Sequence, residues 1–271
     1  DRDIYLLQVG FLVCDSDYLL MTLIDRFQLN DWFVGNPDKE HSVYDTSQKI
    51  FMVEELLNLL IINATEHGFA SGTTTEQRIR RAIIQYLGLT RLSYSELLKL
   101  IPESLNEHES FESELNKVAN FRAPDGLNDK GMYEIKPECL DEVDPYFWHY
   151  TRNKREEAHA VLRQRYNQLH PEAKLNDDEE FLIQPRIQNL QNGPFKHLTN
   201  FLHSTIFTQM LTFGLWNSVM AKSGKSEVVL DELLYLGMLA VTDTNNALGD
   251  QAIKEGDPRP SFYEKAVNDL Y

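Results

Sequence analysis

Residues 73–137 read TTTEQRIRRAIIQYLGLTRLSYSELLKLIPESLNEHESFESELNKVANFRAPDGLNDKGMYEIKP, and this stretch decides the fold. Thr74 with Gln77 forms a capping box, and Ile79, Ile83, Tyr86 and Leu87 follow at helical spacing up to Gly88. Ser93 with Glu96 opens a second helix, from Tyr94 to Ile101, which Pro102 ends. A third runs from Glu109 to Asn120 with Phe111, Leu115 and Val118 on one side. Phe121-Arg122-Ala123 and Met132-Tyr133-Glu134-Ile135 read as strands joined through the turn residues Pro124-Asp125-Gly126 and Lys130-Gly131. Three short helices followed by a hairpin is the order of a winged helix. In a DNA reader the third helix enters the major groove carrying Arg and Lys. Here it carries Glu109, Glu112 and Glu114 against Lys117, a face that a phosphate backbone repels.

The composition around this stretch agrees. The chain has 271 residues, 42% of them hydrophobic and 25% charged, as a globular protein does. Its formal net charge of −16 opposes nucleic acid and anionic membrane surfaces, and its 8 histidines cannot reverse that sign. Cys14 and Cys139 stand apart with no CxxC partner, which reads as free thiols in a reducing compartment. The apolar run from Leu56 to Ile62 is interrupted by Asn58 and too short to span a bilayer. No signal stretch opens the chain, and the lack of a starting Met suggests a piece of something larger. Asn63-Ala64-Thr65 matches a glycosylation triplet but falls on a buried-looking helix, so it reads as chance.

The fold class expected is mainly α: a helical scaffold enclosing a winged-helix domain with a small β wing. Four parts are expected: helical scaffold over 1–72, winged helix over 73–140, aromatic junction and basic helix over 141–175, and helical scaffold again over 176–271. In the first part, Asp15 can cap a helix from Tyr18 to Leu29, and Gln48 to Thr65 is the strongest helix signal, apolar on more than one face. Tyr146-Phe147-Trp148-His149-Tyr150 leads into a basic helix from Arg152 to Gln168, and Asn176-Asp177-Asp178-Glu179-Glu180 reads as a solvated linker. Further helices are expected near Lys196 to Phe207, Thr208 to Met220, Leu230 to Thr244 and Phe262 to Leu270, with loops at Gly224-Lys225-Ser226 and Gly256-Asp257-Pro258. No internal repeat is visible.

No catalytic signature emerges. Gly224-Lys225-Ser226 resembles the end of a phosphate loop, but position 219 is Val where the loop needs Gly, and no strand precedes it. The pairs His197/His203 and His149/His159 have the wrong spacing for two ligands on one helix face. Glu54-Glu55, Glu156-Glu157 and Asp177-Asp178 read as solvated pairs, and nothing brings two of them to one pocket. No Gly-x-Ser-x-Gly elbow is present. What remains are two candidate protein-contact sets. One is acidic (Glu109, Glu112, Glu114) and either a solvated face or a contact surface. The other follows an aromatic run that either merely glues the winged helix to the next helix or leads into a basic, partner-facing helix whose Arg152, Arg155, Arg163 and Arg165 meet an acidic protein.

Ser93-Tyr94-Ser95-Glu96-Leu97, the run from Glu114 to Phe121 and the run from Gly131 to Cys139 resemble the middle region of the N-recognin (Ubr-type) RING E3 ubiquitin ligases, with a fungal look. The similarity extends through Asp144 to Tyr150 and Arg152-Asn153-Lys154-Arg155. It runs more weakly over Leu19 to Phe27 and Leu233-Leu234-Tyr235-Leu236, where mainly the apolar pattern matches. The resemblance implies an interior piece of a long RING-type ubiquitin transferase of the N-degron pathway, cytoplasmic and also nuclear. A zinc-bound UBR box would read N-degrons in such a ligase, and a zinc-bound RING would engage the conjugating enzyme. Two isolated cysteines cannot build either module, so no cofactor, metal or catalytic residue is expected within this chain.

The reading that follows is a non-catalytic scaffold that positions substrate-reading modules relative to the RING end, with the other domains of the same ligase as partners. The alternative is a docking module for a separate protein: a ubiquitin-conjugating enzyme, an adaptor or a substrate. A nucleic-acid-binding winged helix ranks last, because the dense basic cluster lies outside the helix that would enter the groove. Neither nucleic acid nor membrane is expected as a partner.

Overall fold

The computed structural model describes residues 2–66, 68, 72–124, 126, 130–176, 179, 181–185 and 193–243. The helix expected near Phe262 to Leu270, the loop at Gly256-Asp257-Pro258, Asp125 of the wing turn and residues 177, 178 and 180 of the linker lie outside these. The chain divides into two compact units, residues 1–71 with 182–271, and residues 72–181.

The first unit is helical. Helix α1 spans Arg2–Val13 and α2 spans Ser16–Arg26, the latter capped by Asp15, whose carboxylate accepts from the Tyr18 amide at 3.0 Å. Helix α3, Thr46–Thr65, begins with a capping box missed in the sequence: Asp45 accepts from the Gln48 amide at 2.8 Å, and the Gln48 side chain accepts from Asp45 at 3.0 Å. Val53, Leu56, Leu57, Leu60 and Ile61 are all buried, as an apolar pattern on more than one face requires. Phe51 departs from it and stays 44% exposed, whereas Lys49 is buried and donates to the carbonyls of Pro37 at 2.5 Å and Lys39 at 3.1 Å. Asn63 is fully buried, so the glycosylation triplet is inaccessible.

A single α-helix from Lys196 to Phe207 does not form. Leu198–His203 is a 3-10 helix instead, and α9 starts at Thr205 and runs to Met220. Ser204 is the reason: its hydroxyl accepts from the Phe207 amide at 3.2 Å and caps α9. The three-residue spacing of Leu198 and Phe201 buries both on a three-per-turn helix. Helix α10, Glu227–Thr242, packs along α3 and α9.

The second unit is the winged helix with its junction. Helix α4, Thr75–Leu89, opens on the expected Thr74/Gln77 capping box and lies at its centre. Helix α5, Tyr94–Leu100, follows, with the Ser93 amide and hydroxyl both donating to the Glu96 carboxylate, at 2.9 and 2.6 Å. Pro102 starts a further short helix, α6 (Glu103–Asn106), where only a stop was expected. Asn106 holds that turn by donating to the carbonyls of Leu98 and Ile101, at 2.8 and 3.0 Å. Helix α7 spans Phe111–Val118, shorter at both ends than its apolar pattern suggested. Glu109 falls in the preceding turn, where the His108 ring accepts from the Ser110 amide at 3.2 Å. At the other end Ala119 already pairs with Ile135, so β1 (Ala119–Arg122) starts two residues before the expected strand and runs antiparallel to β2 (Met132–Ile135).

Leu92 joins the free edge of β2 as an isolated antiparallel bridge, exchanging backbone bonds with Tyr133 at 3.3 and 2.7 Å. The core gathers Ile79, Ile83 and Leu87 of α4, Leu97, Phe111, Leu115, Val118 and Ile135, and it extends into the junction through Phe147 and Tyr150. A 3-10 helix, Pro137–Glu142, leads to that junction, and α8 spans Arg152–Leu169.

Candidate protein-contact surface

Helical geometry divides the acidic set. Phe111, Glu114, Leu115 and Val118 recur at i, i+3, i+4 and i+7, so they share the inward stripe of α7, and all four are buried. Glu114 is therefore an internal carboxylate, and the Lys117 ammonium lies 2.5 Å from it. Lys136 donates to the carbonyls of Asn116 and Lys117, at 2.9 and 2.7 Å, and places its charge at the C-terminal end of α7. Glu109 and Glu112 remain exposed. The position of Glu114 within the apolar stripe is a signal the sequence already held.

The basic set does not form one outward face. Positions 163 and 165 are two residues apart, which turns their side chains about 200° from one another on a helix. Arg165 lies 3.2 Å from Asp141 on the 3-10 helix, and Arg163 donates to the Asn176 carbonyl. Both hold neighbouring segments against α8. Arg152 lies 3.5 Å from Glu156 one turn on, and Arg155 is half-buried. Lys154, which the sequence reading left out, sits over the Tyr86 ring at 4.5 Å.

The aromatic run is an internal joint. Tyr86 of α4 meets Phe147 and Tyr150 edge-on at 6.1 and 6.2 Å, and those two rings meet each other at 5.2 Å. Buried Gln85 donates to the Glu142 carbonyl at 2.9 Å and accepts from the Asp144 amide at 2.8 Å. Arg80 and Arg81 pair with Glu142 and Asp144, on the same seam. Burial pushes the Tyr150 phenol well above its ordinary pKa and lowers the His149 imidazole to about 4.

The fragments that suggested chemistry have structural roles. Ser226 caps α10, accepting from the Val229 amide at 3.3 Å, and its hydroxyl donates to Glu54 at 2.8 Å. Glu54 is thus buried at 2% exposure, not solvated as its pairing with Glu55 suggested. Lys225 donates to the Val219 carbonyl at 2.8 Å and closes the end of α9. Among the described residues there is no group of three or more His, Cys, Asp or Glu that could hold a metal, and no helix long and apolar enough to cross a membrane.

Residues 78–177 match the family model of the UBR1-like E3 ubiquitin-protein ligase winged-helix domain, and residues 1–59 match that of the UBR1/2/3-like ARM repeat domain. The E3 ubiquitin-protein ligase ubr1 of Schizosaccharomyces pombe is 42% identical over 170 residues, 63% of this chain and 9% of its own length. The E3 ubiquitin-protein ligase UBR2 of Mus musculus is 30% identical over 259 residues, 92% of this chain and 14% of its own. UBR1 of Drosophila melanogaster is 29% identical over 279 residues, 98% and 14%. The chain therefore spans only about a tenth of the length of these relatives. The hairpin and capped helices of residues 72–181 coincide with one matched domain and α1 to α3 with the other, and on both grounds the chain belongs to the UBR1-like family of E3 ubiquitin-protein ligases.

Proposed function

We propose that this chain is a non-catalytic spacer within a RING-type E3 ubiquitin transferase of the N-degron pathway, holding substrate-reading modules in a fixed relation to the RING end. One observation carries the proposal: Phe147 and Tyr150 of the aromatic run lie in the core of the winged helix, with Trp148 packed against it, and join α8 to α4. A unit tied together by a buried glutamine, edge-on rings and paired arginines transmits position without bending, which is what a spacer must do. The exposed surface of α7 that a DNA reader would use carries Glu112, and its Lys117 is paired with Glu114, which speaks against nucleic acid as the ligand.

The partners in this reading are the other domains of the same ligase, with a conjugating enzyme reached through them. The zinc belongs to UBR-box and RING modules outside these residues, and the site of action is the cytoplasm, with the nucleus also open to it. Deleting residues 73–137 from the full-length ligase tests it. Polyubiquitylation of an N-degron substrate should fall while binding of an N-degron peptide is kept. Loss of peptide binding with undiminished ubiquitin discharge would overturn the proposal.

A further inference from the structure

The wing carries an aromatic row that leads from the core to solvent. Buried Phe111 meets Tyr94 at 6.2 Å, Tyr94 meets Tyr133 at 6.2 Å, and Tyr133 meets Phe121 at 5.2 Å. Phe121 ends the row 58% exposed, though it is not loose. It lies across Gly131, where a Cβ would come within 2.5 Å of the ring, so the turn is built to let the ring sit flat on the backbone. A large ring held in place and left in water is the form of a binding anchor.

The charges around the row point to its occupant. On the other face of the hairpin, Glu134 lies 2.6 Å from both Arg91 and Arg122 and compensates the wing's arginines. The Glu112 carboxylate stands beside Tyr94. Lys117, the cation of α7, is paired with Glu114 and leaves Glu112 exposed. The row is therefore flanked by a carboxylate, Glu112, on the α7 side. An alkyl stem that ends in a cation fits both parts: the stem and charge lie over the π faces while the head reaches a carboxylate.

We propose that Phe121, Tyr133 and Tyr94 together with Glu112 form a docking surface for a basic segment of a protein partner, with an Arg or Lys side chain laid along the rings toward Glu112. The surface acts in addition to the spacer role and stands whether or not that role holds.

The test uses the 271-residue chain and a fluorescein-labelled peptide of alternating Arg and Leu. Its counterpart with Glu for Arg and a labelled DNA duplex serve as controls. Binding of the Arg peptide alone is expected, with NMR shifts centred on Tyr94, Glu112, Phe121 and Tyr133. Phe121→Ala and Glu112→Lys should each weaken it by about tenfold. Glu112→Gln, which keeps the shape, should weaken it severalfold and reduce its salt dependence. Equal binding to all variants would mean general attraction to an acidic protein and would overturn the proposal. No binding, shifts centred elsewhere, or preference for the DNA would overturn it too.

Discussion

Tyr150 donates its phenolic hydrogen to the backbone carbonyl of Gln85, 65 residues earlier in the chain. The Gln85 side chain in turn holds Glu142 and Asp144, so one buried glutamine and one buried tyrosine fasten the junction to α4. Tyr150→Phe removes one hydrogen bond and should cost about 1 kcal/mol. Gln85→Leu leaves a half-buried amide and carbonyl of the junction without partners and should cost about 2 kcal/mol. Hydrogen exchange of the α4 amides under native conditions measures both. Equal protection in the two variants would remove the glutamine from this role.

Gly88 lets the chain after the 3-10 helix lie directly on α4, since a Cβ there would run into the Val143 side chain. Gly88→Ala should destabilise by about 1–3 kcal/mol through overpacking, despite alanine's better helix propensity. Adding Val143→Ala should recover part of the loss. A single variant as stable as the parent in urea, or a double variant worse than the sum, would contradict the packing account.

His149 sets an acid limit. Its imidazole is lowered to about 4 by burial, against an ordinary 6.5. Between those values the unfolded chain binds a proton that the folded one excludes, so stability falls as pH drops through this window, and above it the group contributes no slope. Urea midpoints at neutral pH and near pH 5 should therefore draw apart, and His149→Phe should narrow the gap. The same gap in the variant would assign the acid sensitivity elsewhere.

Ser226 serves α10 and Glu54 at once. Ser226→Ala should cost about 1–2 kcal/mol from the lost cap and should also strip a hydrogen bond from the buried carboxylate. In Glu54→Gln, which keeps an acceptor for the serine, the loss should be smaller. Thermal unfolding of the three proteins gives the order, and a Glu54→Gln variant less stable than Ser226→Ala would break it.

The sequence by itself determined the helix starts at Thr74 and Ser93, the order of helices and hairpin, and the sign of the surface. Capping boxes and turn residues act over three or four positions, and charge is a sum over residues, so neither depends on what packs where. The same locality explains the errors. Ser204, read as part of a longer helix, is itself a cap, and Pro102 opens α6 as well as closing α5.

Tertiary structure alone decided which charges are surface and which are interior. Glu54 looks like its neighbour Glu55 in sequence, yet it is buried, because another segment covers the face on which it stands. Nothing in the spacing of Arg163 and Arg165 says that Asn176 and Asp141 meet them. The bridge from Leu92 to Tyr133 and the bond from Tyr150 to Gln85 likewise join residues far apart in sequence. A side chain's spacing says which face of its helix it occupies, and only the segment lying on that face determines whether it meets water or protein.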